Sequence, residues 1–317
     1  MSGLRDACVL VTGVGGFVGP HLARALVARG AEVHGLGLGA PPADAPVASF
    51  RECDLADGAG LGDAFAAVAP AVVVHLAGQS SAARSFVEPE ETFRANLGGT
   101  RAVLEAVLAA APRARVVIVT TSEIYGPCTA PGERVREDAP FRPVSPYGRS
   151  KAEADELARS FGAEHDMDVV RARPFGHAGP GQTPRFVIPG WAQQIARIEA
   201  GLGEAVLRVG DLEIVRDLSD VRDVVEGYCA LIERARTGEA YNLCRGEGVR
   251  LADVVQRFAA MARVPVRIER DPQRMRPADL PVLVGDPTRM RVECGWQVTI
   301  PLERTLAEVL EEWRART

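Results

Sequence analysis

Apolar positions in the first half of the chain fall into two alternating textures. Short β-branched runs (Cys8 to Thr12, Glu32 to Leu36, Ala71 to Leu76, Arg115 to Thr121) are separated by longer Ala/Leu/Arg stretches such as Phe17 to Arg29 and Thr92 to Ala110. Strands without polar alternation are buried on both faces, and strands joined by helices predict repeated βαβ units. The expected fold class is α/β, a doubly wound parallel sheet covered by helices. Beyond about residue 174 the texture changes, with Pro and Gly crowding Pro174 to Gly190 and a proline-bearing loop from Asp271 to Pro281. Residues 1–173 are expected to form the dinucleotide-binding domain, with about 212–243 returning to it. Residues 174–317 then form mainly a smaller mixed α/β lobe whose long loops suit substrate binding.

Composition narrows the function classes. The chain has 317 residues, is 47% hydrophobic and carries a net charge of −5. Its basic residues are scattered, without the patch a nucleic-acid surface needs. No stretch reaches the roughly 18 apolar residues of a membrane span, and the N-terminus runs directly into a strand-like segment, so a cytoplasmic protein is expected. The six cysteines (Cys8, Cys53, Cys128, Cys229, Cys244, Cys294) have no CxxC or other ligand spacing. They are read as reduced packing residues, with no metal site.

The run Val9 to Gly19 places a strand before glycines at 13, 15, 16 and 19, followed by a helix that opens with Phe17 and Val18. Such a loop permits a tight turn at Gly13, backbone approach to a pyrophosphate at Gly16 and close helix packing at Gly19, with the helix N-terminus attracting the anion. The second strand ends Val33-His34-Gly35-Leu36-Gly37 without the acid that would accept from an NAD ribose. This favours NADP(H) and leaves NAD(H) possible. Asp54, before Leu55, is expected to accept from the adenine amino group, or else to cap a helix. His75-Leu76-Ala77-Gly78 closes the fourth strand beside the crevice, with His75 a packed strand residue.

Tyr147 and Lys151 stand four residues apart, on one face of a helix. An ammonium beside a phenol is expected to lower its pKa, and such a tyrosine can exchange a proton with a sugar oxygen while hydride moves. Thr121-Ser122-Glu123 ends the preceding strand, at the sheet edge where ligands bind in such folds. Glu123 could be the base that a dehydratase needs, or could only position substrate.

These motifs, with Asn96 in Asn96-Leu97-Gly98-Gly99-Thr100, Tyr125-Gly126, and Ser145-Pro146 ahead of Tyr147, resemble the extended short-chain dehydrogenase/reductase family in its nucleotide-sugar branch. In the second half, Arg173 to Gln182, Val209 to Asp217, Asp220 to Asp223, Tyr241 to Cys244, Arg276 to Asp279 and Gly295-Trp296 look like GDP-4-keto-6-deoxy-mannose reductases and GDP-mannose 4,6-dehydratases. The resemblance implies a Rossmann-type fold and catalysis by Thr121, Tyr147 and Lys151, with Glu123 the base where water is eliminated. It implies cofactor contacts from the glycine loop, Phe17, Val18, Asp54, Leu55, Leu76, Ala77, Gly78, Asn96 and His177. Ser122, Gly176, Phe186 and Val187 would meet the substrate, Arg216 and Arg276 would clamp its diphosphate, and Asp279 would accept from its nucleoside. The expected activity is reduction of a GDP-linked 4-keto-6-deoxy sugar, with a 4,6-dehydratase or 4-epimerase as alternatives. Two features shape that expectation: Gly176 stands where the family usually has Asn, and the chain is shorter than the dehydratases. Family relatives commonly dimerise through two helices, for which Thr92 to Ala110 and Gly148 to Phe161 are the candidates. A non-catalytic cofactor sensor is the reading of another class, disfavoured by the presence of Thr121, Tyr147 and Lys151 together.

Overall fold

The computed structural model describes residues 3–55, 60–128, 132–275 and 280–317. Its strands are β1 (Cys8–Thr12), β2 (Glu32–Gly37), β3 (Ser49–Glu52), β4 (Val72–His75), β5 (Arg115–Val119), β6 (Val169–Pro174), β7 (Gly176–Ala178), β8 (Val206–Val209), β9 (Val215–Asp220), β10 (Ala240–Leu243), β11 (Gly248–Arg250), β12 (Arg267–Arg270) and β13 (Val282–Leu283). The helices are α1 (Val18–Val27), α2 (Leu61–Val68), α3 (Ala82–Val87), α4 (Pro89–Phe93), α5 (Gly99–Ala110), α6 (Pro146–Glu164), α7 (Val187–Glu199), α8 (Val221–Arg234), α9 (Leu251–Met261), α10 (Thr288–Cys294) and α11 (Leu302–Arg316).

Seven strands form one parallel sheet in the order β10-β6-β5-β4-β1-β2-β3. Alternation along β1 builds both faces. Val9 and Val11 pack on the side of α1 and α8 with Leu22, Leu26 and Tyr228, while Leu10 packs on the other side with Phe65, Leu104 and Val107. Strand order reverses between β1 and β4, and the crevice above such a switch point is where ligands bind in open α/β sheets.

The second half builds smaller sheets. β9 pairs with β7, β11 and β13, and β8 pairs with β12, over a core that includes Trp191, Ile195, Phe258 and Leu310. After β9 the chain runs back through α8, and β10 joins the edge of the large sheet beside β6. One helical passage is irregular: between α4 and α5, Arg94 to Gly98 form a π-helical turn that carries Asn96.

Candidate active site

The glycine loop is shaped by backbone packing. Gly13 has φ +71°, and a Cβ there would lie 2.7 Å from the Ala77 amide nitrogen. A Cβ on Gly19 would overlap the Val14 carbonyl, and one on Gly15 the carbonyls of the loop after β2, so those positions hold helix and loops together. Gly16 differs, since a Cβ there would meet only the Gly13 carbonyl, at 3.2 Å. Helix α1, entered through Phe17, has no side-chain cap and no acidic residue in its first turn. Its free amides thus fit an anion such as a pyrophosphate.

Across the switch point, the exit of β4 is tied to β1. Leu76 and Ala77 donate their amides to the carbonyl and hydroxyl of Thr12. His75 is fully enclosed, bonded to Thr12 Oγ1 at 2.7 Å and Thr100 Oγ1 at 3.2 Å, and burial with the Lys151 charge drives its pKa down to about 3. It is a packed, neutral strand residue, as read from the sequence. Asp54 follows β3 ahead of the buried Leu55, and its carboxylate accepts two hydrogen bonds from Arg94, both at 3.1 Å. The residue that caps α2 is Gly60, not Asp54.

Asn96 sits where the π-helical turn meets β4 and α6. Its amide accepts from the Gln79 nitrogen and donates to the Gln79 carbonyl and to Ser150 Oγ. Gly78 turns so tightly beside it that an added Cβ would lie 2.5 Å from Asn96 Oδ1 and 3.3 Å from Lys151 Nζ.

Helix α6 presents the chemistry. Ser145 caps it by accepting from the Gly148 amide, Pro146 occupies its first turn, and Tyr147, Ser150, Lys151, Ala154, Asp155 and Ala158 form the stripe turned inward. Thr121 caps the helical turn Ser122–Tyr125 by accepting from the Glu123 amide, and its hydroxyl lies near enough to the Tyr147 phenol to act on that phenol's pKa. Ser122 is buried beside it, and Ser145 Oγ donates to Glu123 Oε2 at 3.4 Å. The structure thus brings Thr121, Ser122, Glu123, Tyr147 and Lys151 to one sheet edge.

The electrostatics there correct the expectation of an acidified phenol. Burial, with the Glu123 carboxylate nearby, pushes the Tyr147 phenol above its ordinary value, and only the neighbouring Thr121 hydroxyl opposes this. Lys151 gives its ammonium to the Val119 carbonyl at 3.1 Å, and burial depresses its own pKa to about 8. Desolvation disfavours both charged forms, and the lysine's first partner is a backbone carbonyl.

On the opposite wall, His177 stacks on Phe17 with ring centroids 6.1 Å apart and bonds through Nδ1 to the Phe175 carbonyl, which places it beside the glycine loop. Gly176 contributes backbone only: a Cβ there would lie 2.8 Å from the Asp217 carbonyl and 2.9 Å from Leu218 Cδ2, against β9. Phe186 and Val187 begin α7, with the Arg185 guanidinium over the Phe186 ring. Arg216 reaches the carbonyls of Val215 and Leu280. Arg276 and Asp279 lie outside the described residues.

One group escaped the sequence reading: Asp155 on α6 with Arg171 and Arg173 on β6, all buried behind the reacting face. The available signal was two arginines inside an otherwise apolar strand.

The family model described as GDP-mannose 4,6 dehydratase matches residues 10–309. The chain belongs to that family. Among curated members, the GDP-6-deoxy-D-mannose reductase of Pseudomonas aeruginosa is 34% identical over 97% of each chain. The solved structure of RMD from Pseudomonas aeruginosa complexed with NADPH superposes with a TM-score of 0.85 at 32% identity, covering 98% of this chain and all of that one. A UDP-glucose 4-epimerase from Thermus thermophilus, complexed with NAD, gives 0.86 at 30% identity, over 98% and 99% of the two chains. This membership of the dehydratase family places the chain among the extended short-chain dehydrogenase/reductases. Among its described residues no helix is long and apolar enough to cross a membrane.

Proposed function

We propose that this family member is an NADP(H)-dependent reductase of a 4-keto-6-deoxy sugar carried on GDP. The observation that carries the reading is the convergence of the buried Thr121 and Tyr147 hydroxyls with Lys151 at the sheet edge, across from a glycine loop fitted to an anion. The free amides at the start of α1 and the loop from Gly13 to Gly19 would hold the cofactor's pyrophosphate, with His177 and Phe17 flanking it. When bound, the reduced nicotinamide supplies the hydride delivered to C4.

Tyr147 gives its proton to the sugar oxygen, and Thr121 orients that oxygen with its own hydroxyl. A phenol held protonated by burial suits a proton donor, since a reductase needs the neutral form at the outset. Lys151 places a cation beneath the Gly78 turn. NADP(H) is favoured because β2 ends at Gly37 without an acid to repel a 2′-phosphate. Arg216 and Arg276 would grip the diphosphate and Asp279 the nucleoside, with Ser122, Gly176, Phe186 and Val187 around the sugar and Asp54 and Asn96 on the cofactor side. The protein is further proposed to pair through 92–110 and 148–161, which sedimentation at single-chain mass would overturn.

A second reading, a 4,6-dehydratase, is favoured by one observation: Glu123 lies close enough to raise the Tyr147 pKa, where a base for C5 would stand. Incubation with GDP-4-keto-6-deoxy-mannose and NADPH should consume the reduced nicotinamide. A keto sugar formed from GDP-mannose without added reductant would instead establish the dehydratase.

A further inference from the structure

Asp155 lies one and two turns beyond Lys151 and Tyr147 on the same inward stripe of α6, and none of its side chain is exposed. Its carboxylate accepts from Thr120 Oγ1 at 3.0 Å, Arg171 Nη1 at 2.9 Å, Arg173 Nε at 2.9 Å and Arg173 Nη2 at 2.8 Å. Arg173 continues the chain of bonds. Its Nη1 donates to Tyr125 Oη and to the Glu137 carbonyl, both at 2.8 Å, and the Tyr125 hydroxyl donates in turn to Asn242 Oδ1 on β10. One carboxylate therefore joins the helix that carries Tyr147 and Lys151, the residue before Thr121, and the turn that carries Glu123.

The backbone at Thr121 is extended, with φ −166° and ψ 155°. Side chains of adjacent extended residues point to opposite sides, so anchoring Thr120 inward turns Thr121 outward, toward Tyr147. Burying one carboxylate with two guanidinium groups contributes little net stability compared with apolar packing, because desolvation offsets attraction. What the arrangement does provide is a fixed offset between two elements, each of which supplies one reacting hydroxyl.

We infer that Asp155 is a positioning residue: through Thr120 and Arg173 it sets the separation of the Thr121 and Tyr147 hydroxyls. This rests on the reading of those hydroxyls as the reacting pair. The full-length protein is compared with Thr120→Val, Thr120→Ser and Asp155→Asn, using NADPH with GDP-4-keto-6-deoxy-mannose, and GDP-mannose and UDP-glucose in parallel. Thr120→Val removes the hydroxyl that ties this residue to Asp155 and, at 3.2 Å, to the Ala172 carbonyl, while the Thr120 amide keeps its own bond to that carbonyl. The substitution should lower kcat about ten- to a hundredfold, the scale of a small misplacement of reacting groups. KM for NADPH should stay within about twofold, as for a group that acts on the transition state alone. Thr120→Ser should restore kcat, and a crystal structure of Thr120→Val should show the Thr121 and Tyr147 hydroxyls farther apart than in the wild type.

A Thr120→Val enzyme with unchanged kcat, or a crystal structure in which the separation of the two hydroxyls is unchanged, overturns the inference. If Asp155→Asn fails to fold, the two Thr120 variants still decide. Wild-type protein inactive on every sugar refutes the proposed activity instead, and the crystal comparison then decides the positioning role alone. Undiminished turnover in Tyr147→Phe would remove the underlying reading of the site.

Discussion

The two walls of the crevice are built in opposite ways. On the β1 side the site is backbone: a turn at Gly13, close packing at Gly19 and free amides at the start of α1. On the β5–α6 side it is buried side chains, each held by a specific polar partner: Thr121 by the Glu123 amide, Lys151 by Val119, Asn96 by Gln79 and Ser150. The first wall excludes side chains and the second depends on them. Substitutions should therefore fail for different reasons on the two sides.

The largest effect is expected from Tyr147→Phe, which deletes the proposed proton donor without changing the helix. Turnover should fall about a thousandfold with the thermal midpoint nearly unchanged; a large loss of stability would mean the phenol belongs to the packing. Next is Asp155→Ala, which leaves Arg171 and Arg173 buried without their carboxylate. Removing one partner of such a group costs about 3–5 kcal/mol, to be read by denaturant unfolding. Gly19→Ala tests the opposite wall. Its Cβ would overlap the Val14 carbonyl, and crowding of that kind costs about 1–3 kcal/mol, so folding should suffer along with cofactor affinity.

How far the sequence discloses the molecule follows the same division. The β1–α1 wall is legible because backbone constraints leave glycines at fixed spacing, and the first strand begins and ends where its apolar run does. The pairing of Tyr147 with Thr121 and Glu123 is legible too, from a helical spacing and a strand end. The Asp155 group is not, because its partners lie 16, 18 and 35 residues away and meet only when β5, β6 and α6 pack. The direction of the Tyr147 shift is hidden for a related reason: spacing reveals a neighbouring ammonium, whereas the cost of desolvation depends on burial. From the sequence Gly176 shows only as a glycine where the family usually has Asn; that the space for a Cβ there is filled by β9 emerges only from the packing.

A pH profile sharpens the side-chain wall further. Burial holds the Lys151 pKa at about 8, below its ordinary 10.5, so the ammonium is lost as pH rises through about 8. Reductive turnover should fall across that range, and a Lys151→Arg enzyme should not share the decline. Stability runs the other way. Between about 8 and 10.5 the unfolded chain binds more protons than the folded one, so this residue's contribution to stability improves with rising pH. The smallest effect is expected at Gly16→Ala, where the added Cβ meets only one carbonyl. Its thermal midpoint should stay close to wild type while NADPH titration shows weaker binding; equal affinity would place the pyrophosphate elsewhere.

The π-helical turn at Arg94 to Gly98 sets the phase of a whole helix. Each residue of an α-helix advances the side-chain direction by about 100°, so one additional residue in a turn rotates everything beyond it by that amount. Arg94 can thereby face Asp54, Asn96 face Ser150, and Thr100 face His75 from one continuous helical passage. Deleting a single residue within the turn would yield a more regular helix whose second half pointed the wrong way: its apolar stripe would leave Leu10 and Phe65, and the contacts to Ser150 and His75 could not both be kept.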